Sequence, residues 1–352
     1  MKKRILATVL AGMAAISLAG CGGGAETAST TAAATQAAGG SGDSGSSGAA
    51  AAEVETTATS WAPSTTVSIV VPAGAGGNTD LSARVFAQYA KEMTGNDFIV
   101  VNANGAAGSV AANQVLSAAA DGHTFLYGHN LVNVANIAGV TDYNYTAFKL
   151  GPTFAKDPAQ QLYVNPEKYA DLNAFIEAAK AAPGQLKACT EVGAYTYYEL
   201  LAFEKAAGID LDLVDVGSNS DKVAAMLSGQ VDLMPGAYIN CKDYLAAGQF
   251  VCIGAPTEER YDLIADIPTL KEQGIDLVYP DCDFSFYFPA DTSDDVIAYY
   301  ENLVQQILAD PEAAEAVANV DMMPYYLNAE DSAAHDEEIF NTIKGIADEL
   351  AQ

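Results

Sequence analysis

Val67–Arg84 reads VSIVVPAGAGGNTDLSAR, and the rest of the chain is organised around it. Val67 to Val71 are mostly β-branched and have the character of a buried strand. Pro72 cannot donate to a ladder and ends it. Ala73–Gly77 follow as a turn nearly bare of side chains. From Asn78 or Thr79 the spacing predicts a helix, with Leu81, Val85, Tyr89 and Met93 recurring every fourth residue up to Gly95. A strand, a glycine loop and a helix N-terminus in this order offer unpaired backbone N–H groups and a positive dipole end, which favour an anion. A dinucleotide fingerprint needs Gly-x-Gly-x-x-Gly, and Thr79 stands where its third glycine belongs. Two readings stay open at the loop itself. One is a small carboxylate held by the amides; the other is a strand–helix turn that needs glycine only for its backbone.

Upstream, Lys2, Lys3 and Arg4 precede the apolar Ile5–Leu18, which is too short for a permanent membrane span. Leu18-Ala19-Gly20-Cys21 follows and resembles a bacterial lipobox. Residues 1–20 therefore read as a lipoprotein signal peptide, with cleavage before Cys21 and lipidation of that cysteine. Several acyl chains on one residue give an anchoring that a single chain cannot, so the expected location is extracytoplasmic, lipid-anchored to the bacterial cell membrane. Residues 21–60 comprise the lipidated cysteine and a linker. Of the 39 residues Gly22–Ser60, 33 are Gly, Ala, Ser or Thr, a composition too poor in bulky side chains to bury a core.

Without Lys2, Lys3 and Arg4 the chain carries 13 basic against 45 acidic residues, a net charge of −32. No basic stripe is available to neutralise phosphates, which argues against nucleic acid as a partner. Only Arg84 and Arg260 remain downstream of Cys21. An arginine-rich clamp is thus unavailable, and an anionic ligand is expected to lean on backbone amides and hydroxyls.

Asp97–Val101 reads as a second strand. It runs into the small-residue loop Asn102–Ser109, a helix Val110–Ala119 and a third strand His123–Gly128. Strand and helix alternating at this spacing predict βαβ units with a parallel sheet. Ligands of such sheets lie beyond the strand C-termini, which is where the loops at Gly76 and Gly105 and the pair His129-Asn130 fall. The pattern restarts after Gly151–Pro166. A strand Gln161–Val164 is followed by a helix Asp171–Ala181, a strand Leu186–Thr190, a loop Gly193–Tyr198, and a helix Glu199–Ala207. Then come a strand Leu211–Val216, a loop Gly217–Ser220, a helix Asp221–Ser228 and a strand Val231–Met234. Asp281–Asp294 reads as aromatics and turn residues leading to a helix Asp295–Leu308.

With these elements in place, the chain resembles the substrate-binding proteins of the tripartite tricarboxylate transporter family. The resemblance rests on Val71-Pro72 with Gly76-Gly77, Thr79-Asp80 and Arg84; on Asn102 with Gly105-Ala106 and Gly108; on Asp121-Gly122 with Thr124; on Gly229-Gln230-Val231-Asp232; and on Ile267–Gly274. It implies an α/β chain with a two-lobed, periplasmic-binding-protein-like (type II) fold. Two mixed or parallel sheets flanked by helices would hold a ligand cleft between the lobes. Residues 61–160 would form the first part of lobe 1, 161–284 lobe 2, and 285–352 the return to lobe 1. The implied function is capture of a small organic carboxylate and its delivery to permease subunits of a tripartite transporter, by a monomer that is not an enzyme and needs no cofactor or metal. The implied ligand contacts are Gly76, Gly77, Asn78, Thr79 and Asp80 in the first loop, with Gly105, Ala106, His129 and Asn130 beside them. Asp80 either stabilises the helix N-terminus or faces the ligand. In lobe 2 the contacts are Ala194, Tyr195, Thr196, Tyr197, Ser218, Asn219 and Tyr238. Here the chain departs from the family: Tyr197 stands at a position usually held by histidine, and Asp215-Val216-Gly217-Ser218 replaces the usual Pro-Tyr-Lys-Gly. The tyrosines suit either a flat ligand by stacking or plain packing of the lobe surface.

The rival class is an exported hydrolase, or a non-transport ligand sensor on the same fold. Gly-x-Ser-x-Gly, His-Glu-x-x-His and Cys-x-x-Cys do not occur downstream of Cys21. His123, His129 and His335 have no metal spacing, and neither do Cys189, Cys241, Cys252 and Cys282. An exported chain permits a disulfide, with Cys241 and Cys252 the nearest pair, whereas Cys189 and Cys252 lie in apolar strands as buried thiols would.

Overall fold

The structure, a computed structural model, describes residues 57–350, with Leu350 as backbone only. The signal segment, Cys21 and the linker up to residue 56 lie outside the described residues. The elements begin with β1 (Val67–Val71), α1 (Asn78–Thr94), β2 (Phe98–Asn102), α2 (Ser109–Leu116), β3 (Thr124–Gly128), α3 (Leu131–Ile137) and β4 (Phe148–Asp157). They continue with β5 (Gln161–Val164), α4 (Leu172–Ala181), β6 (Lys187–Thr190), α5 (Tyr195–Ala207), β7 (Asp212–Asp215), α6 (Asn219–Leu227), β8 (Leu233–Gly236), α7 (Tyr238–Ala246) and β9 (Val251–Gly254). The last are β10 (Cys282–Pro289), α8 (Asp294–Ala309), α9 (Pro311–Asn319), β11 (Met323–Leu327) and α10 (Ala329–Leu350).

Two mixed sheets result. The six-stranded sheet has the order β11-β4-β10-β3-β1-β2 and the five-stranded sheet β7-β6-β8-β5-β9. In the first, β2, β1 and β3 run parallel, and β10, β4 and β11 add antiparallel pairings. In the second, β7, β6 and β8 run parallel while β5 is antiparallel to β8 and β9. The chain crosses between sheets after β4 and again before β10. Each sheet has three parallel strands, and the loops beyond their C-termini form the facing edges of the two lobes.

Several elements differ from the sequence reading, each for a physical reason. Cys282–Pro289 is a strand, not a turn-rich connection. Its residues are all buried, so no alternation marks it. It sits at the centre of the aromatic core of the first sheet, where Phe286 stacks on Phe125 at 4.6 Å and meets Phe86 edge-on at 4.8 Å. Helix α5 starts at Tyr195 instead of Glu199, because Tyr195 and Tyr198 bury into the lobe core as soon as the helix begins. Strand β8 ends at Gly236 and includes Pro235. That proline pairs with Leu162 of β5, while β6 pairs with β8 only at Leu233, so no ladder bond needs a Pro235 N–H. Thr57–Ser60, read as the end of the linker, are already tied down. Thr57 N donates to Asn302 at 2.9 Å and Ser60 Oγ to Asp295 at 2.6 Å, both on α8. The four downstream cysteines are free, so the structure holds no disulfide between them.

Candidate functional site

The first wall of the cleft is the turn from β1 to α1. Gly76 adopts φ +85°, open to glycine at no steric cost. Gly77 is the N-cap of α1 and supplies no side-chain cap, so the end of the helix dipole is available to a ligand. Asp80 holds the turn in shape. Its carboxylate, 1% exposed, accepts from Gly76 N at 2.9 Å, Asn102 Nδ2 at 2.9 Å, and Arg84 Nη2 and Nε at 2.8 and 3.0 Å. Burial alone would raise this carboxyl; the bonds from Arg84, Gly76 and Asn102 outweigh it and hold the group below the usual range. Asn78, in the first turn, donates to Asp157 Oδ2 at 2.7 Å. Burial pushes the Asp157 carboxyl up to about 7, so the end of β4, where the chain leaves the first sheet, carries a carboxyl poised near neutrality.

The β2–α2 loop supplies Asn104, Gly105, Ala107 and Gly108. Gly108 has φ +84°, and a Cβ there would overlap Leu131 Cδ1. His129 follows β3. Its Nδ1 lies 2.9 Å from Asn130 Oδ1, its ring packs edge-on against Tyr195 and Phe284, and burial lowers its pKa, which favours the neutral ring.

The opposite wall comes from the second sheet. Helix α5 begins without a side-chain cap at Ala194, so a second bare helix N-terminus faces the first. Thr190 and Thr196 share a hydrogen bond at 2.8 Å, and Lys222 Nζ donates to Thr196 Oγ1 at 3.0 Å. Helix α6 places that lysine. Ser218 and Asp221 form a capping box, with Ser218 N donating to Asp221 Oδ2 at 3.0 Å and Asp221 N donating back to Ser218 Oγ at 3.4 Å. The following turn buries Lys222, Val223, Ala225 and Met226. Lys222 is 5% exposed, and burial lowers its pKa. Beneath it, Glu199 is fully buried with both carboxyl oxygens lacking a hydrogen-bond partner among the described residues. Burial raises Glu199 well above the usual carboxylate range. The two walls line an inner pocket of about 150 Å³ and an outer one of about 520 Å³. Both share Pro72, Asn78, Thr79, His129, Glu191 and Lys222.

A family model described as "Tripartite tricarboxylate transporter family receptor" matches residues 82–351. The chain belongs to this receptor family. A Cupriavidus necator protein encoded in the gbd 5′ region is 28% identical over 297 residues, covering 82% of this receptor and 88% of that relative. Bordetella pertussis BugT is 23% identical over 269 residues, covering 73% and 80%. Among solved structures, MatC from Rhodopseudomonas palustris with bound malate superposes with a TM-score of 0.72 at 23% identity, covering 81% of this receptor and 99% of that chain. An R. palustris protein with adipate gives a TM-score of 0.73 at 22% identity, over 81% and 97%. These likenesses establish the fold as the two-lobed one of periplasmic binding proteins.

The family match starts inside α1 and leaves the first glycine loop outside it. Of the residues singled out from sequence, the receptor brings Gly76, Gly77, Asn78, Thr79, Gly105, His129, Ala194, Tyr195, Thr196, Ser218 and Asn219 to the cleft. Five others do not line it. Asp80 turns its carboxylate to Arg84, Asn102 and the Gly76 amide. Ala106 is exposed on the outer side of its loop, and Ala107 lines the cleft in its place. Asn130 is buried behind His129. Tyr197 lies one helical face away, in a surface groove with Leu201 and Phe340. Tyr238 packs with Ala255, Ile264 and Ile267. Sequence reasoning missed Lys222, Glu191 and Gln160. The capping box at Ser218-Asn219-Ser220-Asp221 marks where α6 starts but not which of its faces turns inward.

Proposed function

We propose that this protein is an extracytoplasmic receptor that captures a small organic carboxylate between its lobes and delivers it to the permease subunits of a tripartite tricarboxylate transporter. One observation carries the reading. In a chain of net charge −29, the uncapped N-termini of α1 and α5 meet across one cleft that also holds a buried lysine. Helix N-termini and an ammonium attract carboxylates, and the strongly acidic balance of the chain disfavours an anion elsewhere. The malate and adipate held by the two R. palustris structures are ligands of this kind. Contacts from both lobes favour a closed state on binding, and a permease that reads the closed surface takes only loaded receptors. The anchor is the lipidated Cys21, the protein acts as a monomer, and it returns its ligand unchanged.

Thermal unfolding of the purified protein against mono-, di- and tricarboxylates, amino acids and sugars tests the reading. A carboxylate at one hundred times its dissociation constant stabilises the fold by about 2.7 kcal/mol. No shift with any carboxylate, or turnover of a bound one, overturns the receptor. Cys21→Ser should release the protein from membranes, and continued retention refutes the anchor alone.

A further inference from the structure

Asn104-Gly105 is the single Asn-Gly pair in the chain. It lies in the β2–α2 loop, where both residues are exposed and both line the outer pocket of the cleft. An asparagine closes on its own backbone most readily when its carboxamide is unheld, the next N–H is free, and no side chain stands there to crowd the ring. Asn104 meets each condition. Among the described residues its side chain has no hydrogen-bond partner, and the Gly105 N–H donates to no acceptor. Its neighbour is the contrast: Asn102 Nδ2 donates to Ala73 O at 3.0 Å and to Asp80 Oδ1 at 2.9 Å. Asp121-Gly122 is also tied down, with the carboxylate accepting from His123 N at 3.0 Å. The loop beyond Asn104 is strained as well. Gly105, Ala106, Ala107 and Gly108 all have positive φ, at +120°, +48°, +51° and +84°, and the left-handed region is unfavourable for alanine.

We infer that Asn104-Gly105 is a self-modification site, where deamidation places a new carboxylate in the wall of the cleft and weakens anion binding. The Gly105 nitrogen attacks Asn104 Cγ and gives up its proton. The Cγ–Nδ2 bond breaks, ammonia leaves with that proton, and a cyclic imide remains. Water then opens the ring at either carbonyl, giving an aspartyl or a β-linked aspartyl residue. Both products exchange a neutral amide for a negative charge, in the chamber that Gly76, Gly77 and Thr79 at the α1 N-terminus also line. The β-linked product adds a carbon to the main chain shortly before Gly108, which is wedged against Leu131 and Pro72. The weakening of binding rests on the carboxylate-receptor reading; the modification itself does not.

The test ages the purified full chain at pH 8.5 and at pH 6, since base frees the attacking nitrogen. Peptide mapping by mass spectrometry locates each amide-to-acid change, and an isoaspartyl methyltransferase counts the β-linked product. Calorimetry against malate, adipate and citrate follows affinity at low and high salt. Wild type should gain acid at position 104 first, faster at pH 8.5, and lose affinity by roughly 3- to 10-fold at low salt, as one added charge across a solvated chamber gives. High salt should shrink the loss. Asn104→Asp should carry the same loss from the start. Asn104→Gln closes its larger ring slowly, so it should hold its mass and its starting affinity through the incubation. Acid that appears at other asparagines and spares Asn104 overturns the modification, whatever binds. Acid at 104 with affinity unchanged, or an equal decline in Asn104→Gln, overturns the weakening while the receptor reading stands. Fresh protein that binds none of the carboxylates overturns the weakening together with that reading, and the modification is still judged by mass.

Discussion

Arg84 clasps Asp80 from one turn further along α1, with Nη2 on Oδ1 at 2.8 Å and Nε on Oδ2 at 3.0 Å. The same carboxylate takes the Gly76 amide and Asn102 Nδ2, so one buried group fixes the glycine loop to both the helix and β2. Asp80→Ala should therefore loosen the loop without removing a ligand contact. The expected cost is about 1–3 kcal/mol in stability, discounted because the Arg84 side chain is half exposed. Affinity should fall roughly 10-fold or more, since the loop must then be ordered on binding. Urea unfolding and calorimetry on the same preparation check both, and wild-type affinity in Asp80→Ala would show that the loop keeps its shape unaided.

Two glycines of the cleft should respond differently to alanine. Gly76 has φ +85° and open space where a Cβ would stand, so Gly76→Ala meets only backbone strain of about 1–2 kcal/mol. Gly108 has a similar φ of +84°, yet its Cβ would overlap Leu131 Cδ1 and press on Pro72. Gly108→Ala should destabilise more than Gly76→Ala, and should shift the β1–α1 turn through Pro72. Equal losses of stability in the two variants would mean that Leu131 swings aside freely.

The first wall was legible in the sequence because its determinants are local. A β-branched run, a proline and a glycine cluster act within a few residues, and the structure puts β1, the turn and α1 where they predict. The far wall depends on packing. Tyr195 and Thr196 read as loop because aromatic and β-branched residues are weak helix formers, yet burial against the lobe core starts α5 there. Lys222, in Asp221-Lys222-Val223, has the look of a solvated charge, and only the angle of α6 on its sheet turns it inward. β10 escaped notice for the opposite reason: buried on both faces, Cys282–Pro289 lacks the alternation that marks a half-exposed strand.

The tyrosines separate cleft from surface. Tyr195 lines the cleft, its hydroxyl donates to Pro280 O on the segment returning to the first sheet, and Tyr279 donates to Tyr195 O at 3.1 Å. Tyr195→Phe should cost about 0.5–1.5 kcal/mol of stability, the worth of one ordinary hydrogen bond, and reach carboxylate affinity only through the freed Pro280 segment. Tyr197→Ala and Tyr238→Phe touch other surfaces and should stay within about 2-fold of wild type. A large loss in Tyr197→Ala would relocate the site towards the groove at Phe340.

Asp336 gives the fold a pH dependence of its own. It lies 6% exposed on α10, accepting from Tyr287 Oη at 3.0 Å and Asn133 Nδ2 at 2.9 Å. Burial pushes its carboxyl from 3.8 up to about 7; the Tyr287 bond opposes this, and nearby Asp283 adds to it. The folded state thus holds this proton more tightly than the unfolded chain. A raised folded pKa contributes stability that is complete below about pH 4 and is lost as pH rises through about 7. Asp336→Asn keeps an acceptor for one donor and removes the titration. Relative to the variant, wild type should lose up to roughly 4 kcal/mol between pH 4 and pH 7.5, at about 1.4 kcal/mol per pKa unit. Urea unfolding of both proteins at pH 4.5, 6 and 7.5 measures the gap. It should widen with pH and then level off; a gap of the same size at all three values would mean that Asp336 keeps an ordinary carboxylate pKa in the folded protein.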